Sequence, residues 1–143
     1  MYYSLIMKSN TEFVFTLLKV AARIERRFDR VLSATKGVSF TEYHLLKELR
    51  DQHGGAATRV ELAGAVGLTA SAITRALKPL EKIGLVVTQK SEHDARRSIA
   101  SLTPAGEELL DDATMIICDE VALLQLPRTG MADALTVLNK LNG

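Results

Sequence analysis

A chain of 143 residues is long enough for one domain with its own core and too short for two large ones. With 47% hydrophobic residues, 5% aromatics and no tryptophan, the core must be built mainly from Leu, Ile, Val and Ala, which favours helices. A net charge of +1 excludes no class of partner, because binding follows where charge lies rather than its sum. No apolar run reaches the roughly 18–20 residues needed to cross a bilayer, and MYYSLIMKSN is too short and too weakly basic for a secretory signal. Cys118 is the only cysteine, so an internal disulfide is excluded. The expectation is a cytoplasmic protein with no membrane partner.

Residues 11–35 place Phe13, Leu17, Val20, Ile24, Phe28 and Leu32 at spacings of three and four, one face of a long amphipathic helix. Lys19, Arg23, Arg26, Arg27 and Arg30 fall on its other face. After the break KGVS, FTEYHLLKELR predicts a shorter helix through Phe40, Tyr43, Leu46 and Leu49, and DQHGGAA reads as a loop. Thr58 and Glu61 have the spacing of a capping box, in which each side chain satisfies a free backbone donor at a helix start. Gly67 ends that short helix, and Thr69 caps the next, ASAITRALKPLEKI, which closes before Gly84. LVVTQK is rich in β-branched residues and predicts a strand; SEHDAR is a turn, and RSIASL returns as the antiparallel partner. Thr103 followed by Pro104 is a cap and first-turn pair, starting a helix to about Leu124 with Leu109, Leu110, Ala113, Ile117 and Val121 among its apolar positions. A last helix spans about Pro127 to Leu141. The predicted class is mainly α with a small β-hairpin (α+β).

Within ASAITRALKPLEKI, Ile73, Ala76, Leu77 and Leu80 form one stripe, and Ser71, Thr74, Arg75, Lys78 and Lys82 the opposite one. Small residues at the start of that helix, Thr69, Ala70 and Ser71, permit close approach to a DNA major groove. Hydroxyls and helix N-terminal amides hold phosphate oxygens, and Arg75 offers a bidentate donor pair to guanine, worth about 1–3 kcal/mol of discrimination. A charged helix face alone is usually a solvated face. The short capped helix immediately before it supplies the helix-turn-helix context, in which the second helix enters the groove and the first braces it. Pro79 removes the bond its amide would make to the carbonyl of Arg75 and is read as a local bend. Lys90, His93, Asp94, Arg96 and Arg97 then cluster around a hairpin tip. Alone they make a solubilising turn; directly after a recognition helix they make a wing whose arginine enters a narrow minor groove.

The segments VELAGAVGLTASAITRALKPLEKIGLV (60–86) and DARRSIASLTPAGEELL (94–110) resemble the MarR family of bacterial transcriptional regulators. The carrying pattern is Asp94, Arg96, Leu102, Thr103 and Gly106, together with the recognition-helix ending Leu80 to Val86. The resemblance extends from about Phe13 to Leu141. It implies one MarR-like domain over 1–143, with a winged helix-turn-helix at 39–103 flanked by dimerisation helices at 11–35 and 104–142. It further implies an obligate homodimer of triangular shape, whose two recognition helices reach successive major grooves of a near-palindromic operator about 34–36 Å apart. Ser71, Thr74, Arg75 and Lys78 would face bases and phosphates; Arg96 would enter the minor groove, held by Asp94, with Arg97 its neighbour. Phe13, Leu17, Leu110, Ile117, Val121, Leu135, Leu138 and Leu141 would form the dimer interface. Pro79 is not a fixed feature of the family and leaves the orientation of Lys82 open.

Such regulators are expected to act as repressors released by a small, often aromatic, effector, for which Tyr43 and His44 are the candidate pocket residues. Cys118 would serve an oxidant sensor, the alternative mechanism, but its neighbours Asp119 and Glu120 and its apolar helix point to a buried structural thiol. His44, His53 and His93 show no helical pairing, so no metal site and no cofactor is expected. No glycine-rich phosphate loop, nucleophile elbow or paired carboxylates suggest an enzyme. The remaining rival, a winged helix used for protein–protein contact, would carry apolar or acidic residues in place of Arg75, Lys78 and Arg96.

Overall fold

The computed structural model describes residues 1–94 and 97–143, without the side chains of residues 52 and 53. The elements run α1 (Tyr2–Lys36), α2 (Phe40–His53), β1 (Ala56–Thr58), α3 (Arg59–Val66), α4 (Ala70–Lys82), β2 (Val86–Lys90), β3 (Ser98–Leu102), α5 (Pro104–Leu123) and α6 (Arg128–Leu141). The fold is mainly helical with one small antiparallel sheet, a winged helix-turn-helix.

Sequence caps place the helix boundaries. Ser39 and Glu42 form a reciprocal capping box at α2, and Thr58 and Glu61 form one at α3. Thr69 Oγ1 accepts from the amide of Ala72 at α4, and Thr103 Oγ1 accepts from the amide of Gly106 at α5. Gly67 closes α3 with φ of +69°, a left-handed conformation that side chains with a Cβ rarely adopt. That turn sends the chain into α4 at 105° to α3, within the range of a helix-turn-helix.

The sheet has the order β1-β3-β2, so the wing hairpin gains a third strand that the sequence reading assigned to a loop. Ala57 pairs with Ala100 and Thr58 with Ile99, while Val86 to Lys90 pair with Leu102 to Ser98. Alanine has little strand preference of its own; β1 forms because β3 offers it a ladder and α2 packs against it. Ala57 and Ala100 are both buried.

The core joins Leu32 of α1, Leu45, Leu46 and Leu49 of α2, Leu62 of α3, Ile73, Leu77 and Leu80 of α4, and Leu110 and Ala113 of α5. Leu110 is therefore corrected: it is fully buried in its own chain and offers no surface to a second copy. Among the described residues four ion pairs fasten α5 to the rest: Arg27 to Glu120 at 2.7 Å, Lys36 to Asp112 at 3.0 Å, and Arg50 both to Asp111 at 2.5 Å and to Glu107 at 3.7 Å. Arg27 thus leaves the basic outer face of α1 and binds the neighbouring helix.

Two further expectations change. α1 begins at Tyr2 rather than at residue 11, and only Phe28 and Leu32, near its C-terminal end, are buried. Pro79 sits within continuous helix, because its missing amide affects one bond near the end of α4 while Leu77 and Leu80 stay in the core.

One junction ties the wing to both flanking helices. The amide of Thr103 donates to the carbonyl of Leu85 at 3.1 Å, and its hydroxyl donates to the carbonyl of Gly84 at 2.6 Å. A Cβ on Gly106 would stand 2.2 Å from that same Leu85 oxygen and 2.7 Å from Leu102 Cδ1. Gly106→Ala should therefore lower the unfolding free energy by about 1–3 kcal/mol, as overpacking does, measured by urea denaturation.

Candidate nucleic-acid interface

α4 presents two chemically distinct faces. Ile73, Leu77 and Leu80 are buried, whereas Ser71, Arg75, Lys78 and Lys82 are exposed. The first turn carries free backbone donors: the Thr69 side chain takes the amide of Ala72 and the Thr69 carbonyl takes that of Ile73, leaving the amides of Ala70 and Ser71 without an acceptor among the described residues. Thr74 is half-buried, and its hydroxyl donates to the carbonyl of Ala70 at 3.0 Å. In this rotamer Thr74 meets a ligand as an acceptor or through its methyl group, not as a donor to phosphate, which narrows the role expected of it.

In the wing, the amide of Ser91 donates to the Arg97 carbonyl at 2.8 Å and the amide of Arg97 to the Asp94 carbonyl at 2.9 Å. The His93 amide donates to Ser91 Oγ at 3.3 Å. Lys90, His93, Asp94 and Arg97 are all exposed around this turn. Arg96, the residue expected to enter the minor groove, lies outside the described residues, and so does the contact expected between it and Asp94.

The structure brings Ala70, Ser71, Thr74 and Arg97 together around one depression of about 420 Å³. Arg75, Lys78, Lys90 and His93 do not line it. Its remaining walls are Thr58, Arg59, Val60, Glu61 and Ser98, none of which the sequence reading placed at the interface. Thr58 and Glu61 were legible only as a capping box. The signal for Arg59 would have been the strand before it, which sets the start of α3 beside β3.

The other expected sites separate. His44 is exposed on a groove of about 370 Å³ with Ala21, Ile24, Phe40 and Leu68 between α1, α2 and the end of α3. Tyr43 does not share it: that ring is buried, stacked near Phe40, with its hydroxyl 3.1 Å from Thr114 Oγ1. Cys118 is exposed, correcting the expectation of a buried thiol; the apolar side of α5 that enters the core carries Leu110 and Ala113 instead. Phe13, Leu135, Leu138 and Leu141 are exposed, and Leu17 and Val121 are half-buried. Ile117 packs partly against its own core. Leu17, Leu138 and Leu141 line one groove, so the end of α6 comes near Leu17 of α1. Among the described residues no group of three or more His, Cys, Asp and Glu is placed to hold a metal ion, and no single helix is long and apolar enough to cross a membrane.

A helix-turn-helix at 105° with a basic outward helix and an adjoining hairpin defines the class: a winged helix-turn-helix protein. Residues 38–98 match the model of the MarR family. A Thauera aromatica protein, named as a transcriptional regulator for the hcr operon, is 32% identical over 85 residues, which are 59% of this chain and 50% of that protein. The chain thus spans about half the length of that curated relative. The crystal structure of the transcriptional regulator BldR from Sulfolobus solfataricus superposes with a TM-score of 0.86 at 26% identity, over 94% of this chain and 95% of that one. Reduced AbfR bound to DNA shares the fold with a TM-score of 0.79 at 21% identity, over 95% and 91% of the two chains. Over residues 38–98 the chain thus resembles the MarR family, and its fold is that of the winged-helix regulators it superposes on.

Because the Thr69 side chain holds the first turn of the outward helix, Thr69→Ala should cost about 1 kcal/mol of stability. Thermal unfolding followed by circular dichroism checks this; an unchanged midpoint would remove the cap from the description.

Proposed function

We propose that this chain is a sequence-specific, double-stranded DNA-binding transcriptional regulator of the cytoplasm, acting without catalysis. The observation that carries the reading is the outward face of α4, where Ser71, Arg75 and Lys78 stand exposed while Arg97 of the wing closes on the same helix start. Protein docking would favour apolar or acidic groups there. A duplex instead offers phosphate oxygens to the free amides and base edges to Arg75.

We further propose that the active form is a homodimer. Support comes from the distribution of burial: α6 buries no side chain in its own chain, and the first half of α1 exposes Leu5, Phe13, Val14, Phe15 and Leu18. Patches of this extent on a single chain are normally covered, and a second copy has the matching apolar helices. Two recognition helices would then meet successive major grooves of a near-palindrome. Repression released by a small aromatic effector is the regulatory scheme proposed, with the His44 groove as the place where ligand binding would couple the dimer helices to the winged domain.

Arg75→Ala should relax base preference at one position per half-site in selection from randomised duplexes; uniform weakening would make Arg75 a phosphate contact only. Arg96→Ala should weaken duplex binding and flatten its dependence on salt, measured by fluorescence anisotropy across a salt series, whereas an unaltered slope removes the wing from the contact. Light scattering should return twice the 15.6 kDa chain mass, and a stable folded monomer would end the dimer proposal.

A further inference from the structure

Arg59 occupies the first position of α3, directly after the cap Thr58, and is half-buried. Among the described residues its Nε is shielded from solvent and has no hydrogen-bond partner, and no acidic side chain pairs with its guanidinium. A buried donor left unmade is costly, so such groups normally serve a partner. The depression beside Arg59 is bounded on the opposite side by Ala70 and Ser71 of α4, and by Arg97 and Ser98 at the root of the wing. Among the described residues its donors are the guanidinium groups of Arg59 and Arg97, the Ser71 hydroxyl and the amides of the α4 start, set beside Val60 and the hydroxyls of Thr58 and Thr74. The single carboxylate on the wall, Glu61, accepts from the Thr58 amide at 2.7 Å and from the Thr58 hydroxyl at 3.0 Å. Among the described lining residues positive charge therefore exceeds negative by two to one, in a recess that also receives the N-terminal dipole of α4.

From this we infer that the recess seats one phosphate of the DNA backbone, with Arg59 as a binding residue for it. The inference rests on the DNA-binding reading and specifies a contact within it. If α4 lies in a major groove and the wing reaches the adjoining minor groove, the strand separating the two grooves must cross between them. The recess lies at that crossing. A phosphodiester brings several acceptor oxygens and one negative charge, and a guanidinium fork matches that geometry better than an ammonium. The contact carries no base information; it fixes the register in which Arg75 meets the bases.

The test compares the full chain with Arg59→Gln and Arg59→Lys on the duplex recovered by selection, made in versions that carry one uncharged methylphosphonate at each backbone position in turn. The unsubstituted protein should lose affinity at one phosphate per half-site, between the major- and minor-groove contacts. Arg59→Gln should be indifferent to that position, keep the same base preference, and show a salt slope lower by about 0.9 per protein copy. Arg59→Lys should keep most of the slope. An Arg59→Gln protein that retains the full slope, or that responds to every methylphosphonate as the parent does, overturns the inference while leaving DNA binding intact. The scan on the unsubstituted chain stands alone should the Gln variant not fold: no sensitive phosphate between the grooves also overturns it. A parent that ignores even mixed-sequence duplex in dilute salt instead fails the DNA-binding reading itself.

Discussion

The contact between Gly106 and the carbonyl of Leu85 is the closest approach at any described glycine, and the placing of α4, the wing and α5 depends on it. Leu85 begins the outward run of the wing, directly after the turn that ends α4, while Gly106 lies in the first turn of α5. Their approach leaves no room for a Cβ. Thr103 completes the junction, because one side chain caps α5, bonds Gly84 and sits where its own amide reaches Leu85. Recognition helix, wing and long helix are thereby held as one body. A shift of α5 is therefore passed to the end of α4 through a close-packed contact, as the proposed coupling between helical frame and outward face requires.

The apolar residues fall into two populations with different consequences. Those of α2, α4 and the middle of α5 close a core of mostly leucine within the single chain. Those of the first half of α1 and of α6 remain exposed, although they too are apolar residues of helices. Hydrophobic free energy scales with area removed from water, at roughly 25 cal/mol per Å², so the second population stabilises the protein only when something covers it. The ion pairs Arg27–Glu120, Lys36–Asp112 and Arg50–Asp111 lie among the packed segments, where α5 crosses α1 and α2. At exposed positions such pairs contribute little individually and serve more to fix the register of the helices.

Charge on the outward surface is organised by backbone geometry more than by residue count. The chain is nearly neutral, yet Arg59, Arg75, Lys78, Lys90 and Arg97 are carried by α3, α4 and the wing hairpin. The short strand β1 joins the sheet at the point where α3 begins and sets Arg59 beside Ser98. Thr74 illustrates the opposite case: it lies on the expected face, but its hydroxyl turns back to the helix carbonyl of Ala70 and is spent there.

Local chemistry in the sequence was enough to determine the helix starts at Thr58, Thr69 and Thr103, the wing strands, the helix-turn-helix and its basic face. Each depends on caps, turns or side-chain periodicity acting over a few residues. Other features were decided only when distant segments met. Strand β1 exists through β3, about 40 residues later, and alanine carries no local signal for it. Leu110 and Cys118 sit on the same helix, but the packing of α5 against the core, not the composition of its neighbours, buries one and exposes the other. Tyr43 and His44 are adjacent in sequence and part company for the same reason: consecutive positions on a helix point about 100° apart, so one enters the core while the other faces a groove. Periodicity tells which side chains share a face. Only the tertiary contacts decide which face is covered.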